Sequence, residues 1–333
     1  MKRRTALLIN QCVHRGIYKI QLLKFMATAK INVAELVEKM PPTDKELEAM
    51  QKKTEQPADE KSKPQKPIEA SKFTGPDPEL ADSICESLLS EAPQSIVELV
   101  ELIRDPASPE FKNYKAEYLA HVLAVYTGRP GKQNQRKIVA KTFASFLGND
   151  KTPEYVQGFL ARQLERIGDK DVVSALGKLL LNEKLCDYAA SALISIKEGS
   201  VEQFQPVVSK ASGRCRLVAI QSLAALEDAN SIKIFQKALS DDDRDIRLAG
   251  AFGIVKTSDA SSIPDLLKAA DVESPYERSK MTSLCIQLAE RLNAKGKKQE
   301  AARIFKHLRD TRTDPKEKYI RDLADKWLAS TVL

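Results

Sequence analysis

From Glu79 almost to its end, the chain alternates apolar residues recurring every three or four positions with short polar turns. That period is helical, and the strict alternation of a half-buried strand is absent. The pattern predicts helices of roughly 10–18 residues throughout this region. Further upstream, Val33, Leu36, Val37 and Met40 fall at i, i+3, i+4 and i+7, one short apolar stripe that Pro41 and Pro42 end. Thr43 and Glu46 have capping-box spacing and open a second short helix through Lys53. Thr54 to Pro78 reads TEQPADEKSKPQKPIEASKFTGPDP, with five prolines and hardly any large apolar residue. Such a stretch buries too little surface to offset ordering, which predicts a flexible linker. The 31–40 helix then has two readings, a partner-docking motif on a tether or a weakly packed helix.

The helical region repeats. CDYAASALISI from Cys186, RLVAIQSLAAL from Arg216 and RLAGAFGIVKT from Arg247 align, their first residues 30 and 31 apart, and RSKMTSLCIQL starts another 31 on at Arg278. Three residues into each window stand Ala189, Ala219, Gly250 and Met281; seven residues in stand Leu193, Leu223, Ile254 and Cys285. A small residue lets two helices approach, and a larger one fills the layer between repeats. Met281 departs from that smallness, which predicts a wider last step. Each window follows another amphipathic segment: VVSALGKLLL, VEQFQPVVSK, SIKIFQKALS and SIPDLLKAA. Pro264 is placed where a first-turn proline is tolerated, and Asp or Ser precedes most starts as a cap. The unit is a helical hairpin of about 30 residues, which cannot bury its apolar face alone and must stack. The predicted fold is all-α, an α-α superhelix of about seven hairpins. Four of these are the windows. The others are 93–105 with 109–127, 132–147 with 153–167, and a terminal pair, with an extra helix at 78–91.

The segments SSIPDLLKAA and DRDIRLAGAFGI resemble HEAT-like repeats of the phycobilisome-lyase type. The resemblance is strongest over residues 168–292 and extends back to Pro78. It implies an armadillo-type α-solenoid whose second helices line the concave face. Downstream, GKKQEAARIFKHL and KEKYIRDLADKWLA resemble a tetratricopeptide hairpin through Gly296, Ala301, Phe305, Tyr319 and Ala324. That hairpin would cap the end, with Trp327 over the last apolar layer. The expected organisation is a basic segment at 1–30, short helices at 31–53, a linker at 54–78, the solenoid at 79–292 and the capping hairpin at 293–333. This scaffold serves many unrelated proteins, so the resemblance carries shape and not role.

Charge alters this picture only after it is located. The formal charge of +7 invites nucleic acid as a partner, yet residues 1–30 hold seven Lys and Arg and no acid, so the remainder is neutral. Nucleic acid is therefore disfavoured, because phosphate binding needs clustered cations. Two local basic stretches survive: Arg129, Lys132, Arg136, Lys137 and Lys141, and the run from Arg291 through Lys295, Lys297, Lys298, Arg303, Lys306 and Arg309 to Arg312. Both read first as solvated helix faces. The apolar core Ala6–Ile9 is too short for a secretory signal. Residues 1–25 read as sequence upstream of a start at Met26, as an organelle presequence or as a membrane-surface helix. The corresponding locations are cytoplasmic or mitochondrial. No run of 18 apolar residues exists, so no integral membrane association is expected, and five cysteines without a CxxC pair predict no disulfide framework.

Chemistry is sparse. The histidines are His14, His121 and His307; His121 lies four residues after Glu117, without the further ligands a catalytic zinc needs. Cys85, Cys186, Cys215 and Cys285 sit near apolar positions and read as buried small hydrophobes. The run from Thr127 to Lys132 echoes a phosphate-binding loop but has Tyr126 and Gln133 where glycine and Ser or Thr belong; it reads as a turn. No catalytic, metal or cofactor residues are expected. Two enzymes built on this scaffold, a DNA glycosylase and a chromophore lyase, are the alternatives, with nucleic-acid binding through 291–312 as a third.

Two sets of residues remain. Arg216, Arg247 and Arg278 recur at one repeat position and predict a structural ladder with acids of the inter-repeat turn, Asp243 and Asp245 being near in sequence. Positions one, five and eight residues into the second helices place Leu217, Gln221, Leu248, Phe252, Val255 and Ile286 along a groove. The groove would hold the helix or extended peptide of a protein partner, unless neighbouring helices cover it.

Overall fold

The computed structural model of the chain describes residues 30–41 and 77–331. Among these residues there are sixteen α-helices and no strand. They divide into two compact units at Arg129–Pro130, inside the stretch predicted as one run of repeats. The basic N-terminus, the second short helix and the linker as far as residue 76 lie outside the described residues. Asp77, assigned to that linker, instead caps the helix that Pro78 opens.

The first unit holds α1 (Val33–Glu38), α2 (Pro78–Ser90), α3 (Gln94–Glu101) and α4 (Lys115–Thr127). Asn32 caps α1 by accepting from the Glu35 N–H, and Asp77 accepts from the N–H groups of Glu79 and Leu80, with Pro78 in the first turn. The α1 stripe packs on α3 and α4, and Val33, Val37 and Met40 are buried. Lys30 pairs with Glu98 at 2.8 Å and Lys115 with Glu38 at 2.9 Å. The 31–40 helix is thus packed within its own chain.

The second unit is six consecutive hairpins: α5 (Gln133–Ala144) with α6 (Glu154–Ile167), α7 (Val173–Gly177) with α8 (Cys186–Ile196), α9 (Val201–Lys210) with α10 (Gly213–Ala225), α11 (Ile232–Ala238) with α12 (Arg244–Thr257), α13 (Ile263–Ala270) with α14 (Pro275–Ala294), and α15 (Lys298–Thr311) with α16 (Lys318–Thr331). The second helices pack in series, α6 on α8, α8 on α10, α10 on α12 and α12 on α14, while α9, α11 and α13 lie against their own partners. This is the stacking of an α-α superhelix, in which each hairpin buries its apolar face on its neighbours.

The repeat positions account for the core. Ala189 and Ala219 are fully buried, as are Leu193, Leu223, Ile254 and Cys285. At Gly250 an added Cβ would lie 2.7 Å from both the Ala238 Cβ and the Phe235 carbonyl oxygen, so α12 touches α11 where no side chain fits. Met281 is fully buried too, in a helix that packs against α12, so its size does not leave it stranded. At the end, Ala301, Phe305 and Ala324 are buried, Gly296 turns with φ +78°, and Trp327 stacks on Phe305 with centroids 4.6 Å apart. Tyr319 departs from the tetratricopeptide pattern: it is 63% exposed and fills nothing.

Candidate functional site

A second helix in the middle of this stack has neighbours on three sides: the preceding second helix, the following one and its own first helix. Its fourth side is open, and the sequence periodicity determines what stands there. Leu217 and Leu248 occupy one register; Gln221, Phe252 and Ser283 follow a turn later. Leu217, Leu248 and Phe252 are half-buried, whereas Gln221 and Ser283 are exposed. These residues form the open side in α10, α12 and α14.

Val255 does not belong to it. It is 2% exposed, because three residues beyond Phe252 the helix has turned its side chain into the stack. Ile286 shares the Val255 register but is half-buried, at the margin of the open side.

The open side carries more polar and aromatic character than the periodicity revealed. Tyr188 at the start of α8 and Tyr276 at the start of α14 are 39% and 55% exposed. Arg162 of α6 lies over the Tyr188 ring at 5.4 Å, Arg244 of α12 and Lys280 lie over Tyr276 at 5.0 and 5.8 Å, and Lys256 lies over Phe252 at 5.6 Å. A guanidinium or ammonium over a ring face is attracted by its quadrupole and keeps the ring accessible at its edge. Lone aromatics have no repeat period, so the sequence pattern passes over them.

Arg216, Arg247 and Arg278 all reach forward to the following hairpin. Arg216 pairs with Asp241 at 2.7 Å. Arg247 donates to both oxygens of Glu277 at 2.6 and 2.7 Å and also to the carbonyls of Asp241 and Asp242. Arg278 donates to Glu317 at 2.8 and 3.1 Å and to the Thr311 carbonyl. Glu277 is itself nearly inaccessible, and its carboxylate raises the Arg247 guanidinium above its ordinary value. Burial works against the charge on Asp241, but the Asp243 N–H and Arg216 outweigh it and hold the carboxyl below its ordinary value. The three arginines thus pair with acids of the following hairpin, and those acids are not Asp243 and Asp245. Asp243 caps α12 by accepting from the Asp245 N–H, and Asp245 bonds the adjacent Arg244, so both carboxylates are spent locally.

Other candidates separate cleanly. Cys85, Cys186, Cys215 and Cys285 are buried and form no disulfide among the described residues, and burial pushes the Cys285 thiol up to about 12, where it is no nucleophile at neutral pH. Thr127 ends α4 and the chain turns through Gly131 at φ +85°. Glu117 and His121 lie on α4, both half-buried. Among the described residues no three His, Cys, Asp or Glu side chains gather to hold a metal, and no helix is long and apolar enough to cross a membrane. The 291–312 stretch is not one basic face: Arg312 is fully buried and Arg291 bonds the Lys256 carbonyl and the Ser258 hydroxyl.

The sequence matches no protein-family model and no characterised protein.

Proposed function

We propose that the chain is a non-enzymatic, HEAT-like scaffold that holds a helix or extended peptide of a protein partner along the open side of its second helices. The observation that carries this reading is the row Leu217, Leu248 and Phe252, apolar and half-open on the neighbouring second helices α10 and α12, bordered by exposed Tyr188 and Tyr276. Apolar and aromatic groups at a surface supply the buried centre of an interface, and the cations stacked on the rings supply its rim. Arg162 and Lys280, which form no ion pair among the described residues, favour a partner segment that carries acidic residues between its apolar ones. The tight lateral packing supports the same reading, since a groove built on rigid helices binds without first paying to order itself.

The test is photo-crosslinking from position 221 in the full chain, followed by the pair Leu248→Asp and Phe252→Asp. Both substituted residues are half-open, so the fold should survive, as circular dichroism will report. The crosslinked partner should disappear with the pair; a partner retained at wild-type yield would remove the groove from consideration.

A further inference from the structure

A cleft of about 300 Å³ opens between α9 and α11, backed by α10. It lies on the first-helix side of the stack and shares no residue with the row of Leu217, Leu248 and Phe252. Its lining divides by character. Val208, Ile220, Ile234 and Ala238 make an apolar floor, while Arg216, Lys233 and Lys237 stand beside Gln205 and Ser209.

The charges are arranged at a disadvantage to the protein. Lys233 and Lys237 are four residues apart on α11, so they occupy one face, where like charges repel. Both are exposed, and neither forms an ion pair among the described residues. Of the three cations at the cleft, Arg216 alone is neutralised, by Asp241 at 2.7 Å. A small apolar cleft with two uncompensated ammonium groups complements one kind of molecule: an anion with an aliphatic body. The anion relieves the lysine repulsion, and the body covers Val208 and Ile234, the half-exposed residues of the apolar lining, removing their surface from water. A fully hydrated anion gains only the screened surface attraction, and a neutral hydrocarbon leaves the lysines as they are. The volume is at the lower end of the range for small-molecule pockets, which sets the scale of the ligand at a short acyl chain.

We infer that this cleft binds an aliphatic carboxylate, the carboxylate between Lys233 and Lys237 and the chain on Val208 and Ile234. Titration calorimetry of the full chain with octanoate, octylammonium and inorganic phosphate tests it. Octanoate should bind at one saturable site, while octylammonium and phosphate should not saturate. Lys233→Gln with Lys237→Gln should weaken octanoate about tenfold, the effect of losing two exposed charge contacts. Ile234→Asp should abolish binding independently, by placing a carboxylate on the floor. The melting temperature of each variant reports whether its stack is intact. Octylammonium binding as tightly as octanoate, phosphate saturating alone, or the lysine pair binding octanoate like wild type would each overturn the assignment. So would no saturable octanoate binding.

Discussion

At the scale of single residues, this stack is decided by what is missing from a side chain. Gly250 and Gly253 lie on the α12 face that meets α11, where a Cβ at Gly253 would run into the Phe235 ring. Phe235 is fully buried and cannot yield, because the layer around it is closed. Gly250→Val therefore forces α11 and α12 apart rather than rotating a neighbour. Overpacking of this kind costs about 1–3 kcal/mol. In urea unfolding the variant should lose stability in that range at an unchanged slope. Wild-type stability would mean the two helices are not in contact there. Smallness at this position was readable in the sequence, since Ala189, Ala219 and Gly250 recur with the repeat. The acids of the arginine ladder were not. Glu277 is 30 residues beyond Arg247, but Glu317 is 39 beyond Arg278, so no single period points to them. Asp243 and Asp245 were nearer in sequence, yet a short carboxylate at a helix start finds its own backbone first.

At the scale of one element, α1 shows how far a short pattern can be trusted. Four apolar residues at helical spacing announced a helix, and it is there, over Val33–Glu38. The pattern was silent on where the stripe goes, because Glu98 and Lys115, which hold its two ends, lie 68 and 77 residues away from their partners. A six-residue helix has no stability of its own, so packing on α3 and α4 must supply it. Val37→Asp puts a carboxylate into that contact and should release the whole segment. In hydrogen exchange, the amides of Leu36, Lys39 and Met40 should lose their protection together, while those of α2 keep theirs. The loss in stability should be about 2–3 kcal/mol, the burial of one or two aliphatic side chains. Retained protection at Met40 would show that the contact does not hold α1. The open side of the second helices was half legible for a related reason. Leu217, Leu248 and Phe252 follow the period, but Val255 was misplaced because one further step of the helix moves it from the open side into the stack.

At the scale of the second unit, a stack of hairpins has no centre, and each end has to be closed separately. The C-terminal end is closed by a fully buried arginine. Arg312 donates to Asp271 at 2.6 Å, Thr282 at 2.9 Å and the Ala270 carbonyl at 3.0 Å, so it ties the turn after α15 to α13 and α14. Arg278 reaches Glu317 from α14 beside it, and the His307 Nε2 lies 2.9 Å from Asp271. A buried guanidinium of this kind is worth little relative to apolar packing, but truncating it takes the donors away from the Thr282 hydroxyl and the Ala270 carbonyl and leaves a void, at about 2–4 kcal/mol. Arg312→Ala should therefore loosen the end and not the middle. Hydrogen exchange should speed in α15 and α16 first and then in α14, with α8 and α10 keeping their protection because their interfaces are untouched. Pairing Arg312→Met with Asp271→Leu removes both charges and should recover most of the lost stability. If α8 exchanged as fast as α16 in the single variant, the stack would be unfolding as one body and the closure would not be local. If the double variant recovered nothing, the contribution of Arg312 would lie in its bonds to Thr282 and the Ala270 carbonyl, not in its packing or its pairing with Asp271.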